Sequence, residues 1–241
     1  MIFRPASAIL ILLASAAWGQ QFTPEQEVAL GELMAAEFLK QSTPLESKAI
    51  QAFVDHTGSR LAAHAETPFR FHFVVIAGYA GGPTYEPRSF PGGYILIPAQ
   101  LFLACRDNAE FAGMLAHAMA HVVNRDATRA ATTDTGNGLV PLLPNFPGDD
   151  MFAPAAFRTQ RRQYEEEADA TAVRMMRDVG YDPAALRRYK ERAASLEAPA
   201  RNPPSGPSVT EFHNIQDRIR PLTPPPYSNP PTLFRPGKSP Q

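Results

Sequence analysis

A chain of 241 residues, 44% hydrophobic and 20% charged, carries enough apolar side chain to bury one sizeable core and is too polar to lie in a membrane along its length. Its formal net charge of -1 comes without a basic block or an aromatic-basic platform, which excludes a nucleic-acid reader. The single Cys105 cannot close an internal disulfide, so the fold rests on packing, and Cys105 reads as a small buried hydrophobe.

The chain begins with Arg4 and an apolar run from Ala6 to Trp18, with Ala17 and Gly19 at the small-residue positions of a cleavage site. That run is shorter than the roughly 20 residues that cross a bilayer. Residues 1–19 are therefore expected to be a signal peptide, the mature chain to begin at Gln20 with no membrane span, and the protein to be exported. From Thr23, an N-cap, Pro24 and two first-turn glutamates precede apolar residues at helical spacing, which predicts a long amphipathic helix. A second helix is predicted from Pro44 to about Ala63, with His56 and His64 at its surface or end.

"FRFHFVVIAGY" alternates and then runs apolar, as a strand with one covered face would, placing His72 outward; "GGYILIPAQLF" gives a second strand. The glycine- and proline-rich stretch between them reads as a connection. One continuous helix is predicted from Asp107 to Arg129. The Gly- and Pro-punctuated stretch near residues 132–157 reads as a flap or self-packed loop. A further helix is expected from about Thr159 to Val179, ended by Gly180, and another from Pro183. The chain closes in proline-rich sequence that cannot form a packed core. The domain plan is a signal peptide at 1–19, one domain at 20–222 and an extended tail at 223–241.

The chemistry is concentrated in "GMLAHAMAHVVNRDATR" (Gly113 to Arg129). His117 and His121 lie one helical turn apart on one face and can direct nitrogens at one metal ion. Zinc requires a third ligand. In "RRQYEEEADATAVRMM", Glu165 and Asp169 again share a helix face. Glu165 would complete a His, His, Glu site with an open fourth position, and Asp169 would steady the ring of His117 through its other nitrogen. An isolated H-x-x-x-H is a weak signal, and "EEEAD" also reads as a solvated acidic face. The two helices together, with a Pro-Gly-Gly strand in front, are much stronger.

In "SFPGGYILIPAQLF", "NAEFAGMLAHAMAHVVNRDATR" and "QYEEEADATAVRMMRDVGYDPAALRRY" the chain resembles the zinc metallopeptidases that include the CAAX prenyl protease, HtpX and their soluble exported bacterial forms, metallopeptidase family forty-eight. The likeness runs loosely from about Glu25 to Leu222. It implies an α+β, mainly helical zincin-like domain with a small sheet, in a bacterial periplasm or outside the cell. It implies one zinc ion per chain, held by His117, His121 and Glu165, with Asp169 behind His117. It also implies protein or peptide substrates paired along the strand Tyr94, Ile95, Leu96, Ile97, by strand addition.

This sequence departs from the family where it matters most. Ala118 stands in place of the glutamate that serves as general base, Asp126 stands where a histidine is frequent, and "EPRSFPGG" replaces the usual lead into Pro-Gly-Gly. Glu110 lies two turns before His117, and Glu166 and Glu167 should point off the ligand face. His213, in "TEFHNIQDRI", could approach the metal or an oxyanion, or simply be a polar residue at a helix start. Two functions follow: a zinc metalloendopeptidase impaired by loss of its base, or a zinc-binding pseudoprotease that holds extended polypeptides without cutting them. A metal-free structural domain ranks last.

Overall fold

The computed structural model describes residues 21–79, 84–132 and 155–196. The expected signal peptide, the flap, His213 and the proline-rich tail lie outside the described residues. The α+β expectation holds: helices dominate, and four short strands form one sheet.

Helix α1 (Pro24–Leu39) starts on a capping box, with the Thr23 hydroxyl accepting from Gln26 and the Gln26 side chain accepting from the Thr23 amide. Strand β1 (Ser42–Pro44) follows, then α2 (Lys48–Ala62) and β2 (His72–Tyr79). The helix expected from Pro44 begins four residues later. Pro44 belongs to β1, the Leu45 amide donates to the Val75 carbonyl, and Ser47 caps the helix instead. Strand β3 (Arg88–Phe90), a tight turn at Pro91–Gly93 and strand β4 (Tyr94–Pro98) complete the sheet in the order β1-β2-β4-β3. β2 and β4 run parallel, and the two outer pairings are antiparallel.

Three strand expectations are corrected. Residues beyond Pro98, read as strand, form the short helix α3 (Ala99–Ala104). Both sheet faces are covered: Val75, Ile95 and Ile97 face the main core, while Ile76 and Leu96 pack with Ala35 and Phe38 of α1. His72 stands at the end of β2 with its ring stacked on Tyr94 at 4.7 Å. Finally, the strand expected to receive a peptide, Tyr94, Ile95, Leu96 and Ile97, is internal. Tyr94 to Leu96 are paired to β2 on one side and to β3 on the other, so their backbone groups are taken. Among the described residues no strand pairs with the outer side of β3.

Helix α4 (Asn108–Val123) carries the histidine pair and runs through the centre, with every residue from Glu110 to Ala120 buried. Its cap, in which the Asp107 carboxylate accepts from the Glu110 amide at 2.8 Å, is worth about 1 kcal/mol. Burying Phe111, Met114, Leu115 and Met119 contributes about 1.5–3 kcal/mol each, so packing rather than capping fixes the helix. Phe111 lies 4.9 Å from both Phe53 of α2 and Phe102 of α3, ring to ring. At Gly113 a Cβ would come 3.1 Å from the Leu186 backbone, and that gap admits the last described helix.

The predicted single helix from Asp107 to Arg129 is broken. α4 ends at Val123, Arg125 adopts a left-handed φ of 58°, and α5 (Asp126–Thr132) starts afresh. The cause is tertiary. The Arg125 guanidinium is drawn to the buried Glu27 carboxylate of α1 (Nε to Oε1, 2.7 Å) and to the Phe22 carbonyl, and the Thr128 hydroxyl donates to the same carboxylate at 2.9 Å. Helices α6 (Ala155–Val179) and α7 (Ala184–Leu196) then pack on α4, through Ala168, Ala172 and Met175 of α6 and Leu186 and Tyr189 of α7. The Arg192 guanidinium meets buried Glu110 and the Ala104 carbonyl, closing the far end of α4.

Gly31 lets α1 lie against the turn that leads into β4, because a Cβ there would stand 1.8 Å from the Pro91 carbonyl oxygen. Gly31→Ala is expected to push the helix off this turn and to cost about 1–3 kcal/mol, the usual range for overpacking. Urea unfolding of the variant beside the parent measures it.

Candidate metal centre

The two histidines project from the buried face of α4 toward α6. His117 is 6% exposed, and its Nε2 lies 3.2 Å from the Nε2 of His121, with the rings nearly perpendicular. Glu165, on α6, approaches both: Oε2 is 3.3 Å from His117 Nε2 and Oε1 is 3.8 Å from His121 Nε2. One ligand atom from each of the three residues lies within 4.8 Å of the others. Tetrahedral ligands at about 2.0–2.2 Å from zinc stand about 3.3 Å from one another. The two ring nitrogens stand at that spacing and each has a Glu165 oxygen nearby, Oε2 for His117 and Oε1 for His121, so the donor set suits zinc in kind and the carboxylate would turn one oxygen toward the ion.

The outer nitrogens of both rings face carboxylates. His117 Nδ1 is 2.8 Å from Asp169 Oδ1, a close contact that lacks the straight N–H to O line of a formed hydrogen bond. His121 Nδ1 is hydrogen-bonded to Asp126 Oδ2 at 2.8 Å. Cations stand behind each carboxylate. Lys190 of α7 donates to Asp169 at 2.8 Å and lies 3.7 Å from Glu165, while Arg129 donates to Asp126 at 3.3 Å and to Glu167 at 2.8 Å.

This arrangement sets the protonation states. Burial pushes the Glu165 carboxyl up, but the hydrogen bond with His117 and the charges of His121 and Lys190 outweigh it and hold it at about 2. Asp169 is likewise raised by burial and brought down to about 2 by His117 and Lys190. Burial lowers the His117 pKa, yet Asp169 and Glu165 leave it above its ordinary value. Burial raises Asp126 in spite of His121 and Arg129. Ionised Glu165 thus offers an anionic donor beside the two ring nitrogens, while Lys190 and Arg129 balance Asp169 and Asp126.

Ala118, where the general base would stand, is 1% exposed and packed into the core. The acids around it are committed elsewhere: Glu110 to Arg192 and the Arg106 amide, Glu167 to Arg129, Asp126 to His121, and Asp169 to Lys190. Glu166 is exposed. Sequence reasoning missed Lys190, Arg129 and the placement of Asp126. Lys190 sits on a separate helix at no telltale spacing. Asp126, five residues after His121, would lie about 140° around a continuous helix, and only the left-handed turn at Arg125 brings it back to the ring. A cavity lined by Ser89, Phe90, Pro91, His121 and Asp126 adjoins the site and joins the edge strand β3 to the histidine helix. No helix among the described residues is long and apolar enough to cross a membrane.

Comparison with known proteins gives the same direction. Residues 45–144 match Peptidase family M48, a segment that holds both histidines and stops before Glu165. The chain is 22% identical over 222 residues to the beta-barrel assembly-enhancing protease of Yersinia pestis, covering 83% of this chain and 44% of that protein. It is 25% identical over 207 residues to the protein of the same name from Escherichia coli O157:H7, covering 77% and 41%. The chain thus spans less than half the length of the curated relatives it matches.

Protein purified without chelator should carry one equivalent of zinc by metal analysis. His117→Ala, His121→Ala and Glu165→Ala should each lose it. Asp169→Asn should weaken binding about 10–100-fold, as loss of a ligand's supporting carboxylate does. Full zinc binding by Glu165→Ala would refute the donor set.

Proposed function

We propose, from the match of residues 45–144 to Peptidase family M48 and the geometry of the site, that the chain binds one zinc ion through His117, His121 and Glu165 and engages extended protein or peptide segments, with hydrolysis severely slowed. The observation that carries this reading is the buried Ala118 beside an otherwise complete donor set. Bound there, zinc would polarise a peptide carbonyl and bring the pKa of a water near 7. A general base contributes a further factor of about 10²–10⁴, and no described acid is placed to supply it. His117, His121 and Glu165 would hold the metal, and Asp169, held by Lys190, would back the ring of His117.

The substrate would approach along the sheet edge at β3, beside the cavity that reaches His121. Main-chain bonds would then supply affinity and the cavity a preference for one side chain. Protein substrates accord with the relatives, whose name links them to β-barrel assembly. Export to a periplasm or beyond is part of the same proposal and rests on the pattern of residues 1–19.

The same Ala118 favours a second reading, a zinc-binding module that holds polypeptide without cutting it. Ala118→Glu decides between them, with Ala118→Gln as a control for packing at this buried position. If the groove presents peptide to the metal, Ala118→Glu should raise casein hydrolysis about 10²-fold or more, a chelator should abolish the gain, and Ala118→Gln should show none. A folded, zinc-loaded Ala118→Glu protein as slow as the parent would establish the binding module.

A further inference from the structure

We propose that Asp126 is a positioning residue for the metal centre, holding His121 in the tautomer and orientation that present Nε2 to zinc. The inference rests on the zinc reading of the site above and concerns a residue at which this sequence departs from the family it resembles. Asp126 is 5% exposed, and its two oxygens divide their work: Oδ2 is hydrogen-bonded to His121 Nδ1 at 2.8 Å, while Oδ1 accepts from Arg129 at 3.3 Å. A neutral imidazole carries one N–H, and placing it on Nδ1 leaves the lone pair of Nε2 for the metal. Among the two ring-to-carboxylate contacts of the pair, this one has the geometry of a formed hydrogen bond.

The backbone places Asp126 there at a conformational cost. Arg125 is the one non-glycine residue with positive φ among the described residues, and a left-handed non-glycine residue is unfavourable by about 1 kcal/mol or more. The Glu27 carboxylate and the Phe22 carbonyl hold it. Arg129 in turn is fixed from α6 by Glu167 at 2.8 Å and by the face of Tyr164 at 4.9 Å. Asp126 is therefore located by three elements, α1 through Arg125, α5 itself and α6 through Arg129, and its carboxylate has one ring to serve.

Zinc affinity of the full chain, measured by competition with a chromophoric chelator, tests the assignment. Asp126→Ala should bind one equivalent about 10–100-fold more weakly than the parent, and Asp126→Asn, which keeps an acceptor oxygen, should recover part of the loss. The visible absorption of the cobalt-substituted Asp126→Ala protein should shift, since the ligand ring has lost its support. Leu45→Ala, a core change at the link between β1 and α2, serves as a control that lowers thermal stability away from the ligands and should leave zinc affinity unchanged. Parent-like affinity in Asp126→Ala, or an equal loss in Leu45→Ala, would overturn the proposal while leaving the zinc site standing. A parent protein that binds no zinc would overturn the site and this inference with it.

Discussion

The structure depends on burying one helix from all sides. α4 presents no solvent face between Glu110 and Ala120, so its rotation and height are set by neighbours on every side: the aromatic contacts from α2 and α3, the small-residue seam of α6, and α7 pressed against Gly113. A helix held in this way cannot roll, and side chains one turn apart keep a fixed aim. The histidine pair inherits its geometry from the core. The sheet and α1 complete the enclosure, with β3 at the sheet's edge among the described strands.

The periodic parts of this organisation were legible in the sequence, since spacing at 3.6 residues reports burial directly. The helices from Pro24, Asn108 and Ala184 follow from it, as does the sharing of a face by Glu165 and Asp169. Three-residue strands carry no period, so β1 and β3 were invisible inside segments that read as a helix start and a glycine-proline connection. Without β3 the sheet order could not be known, and β4 was credited with a free edge it does not have. The break at Arg125 was hidden for another reason. "HVVNRDATR" has no Gly or Pro, and the interruption is imposed by Glu27, some hundred residues earlier in sequence. Local propensity was overridden by one buried charge that needed a partner.

Electrostatically the site is built as alternating shells. Two rings face inward, carboxylates stand behind them, and Lys190 and Arg129 stand behind the carboxylates. His117 and Asp126 are buried and Glu165 and Asp169 partly exposed; gathering so many ionisable groups is costly unless each is paired, and here each carboxylate contacts both a ring and a cation. Near Ala118 the acids Glu110, Asp126, Glu167 and Asp169 each have a structural partner, so gaining a base there calls for a new side chain rather than the release of one of these.

The Glu27–Arg125 pair has a consequence beyond the helix break. It joins the first described helix to the residue before Asp126, so on the proposed zinc reading the docking of α1 and the readiness of the site are coupled. A ligand that binds only the assembled site stabilises it by about 2.7 kcal/mol at one hundred times its dissociation constant, and that free energy is shared by everything the site requires. Amide exchange in α1 would then be a remote gauge of metal occupancy, slower with the ion in place.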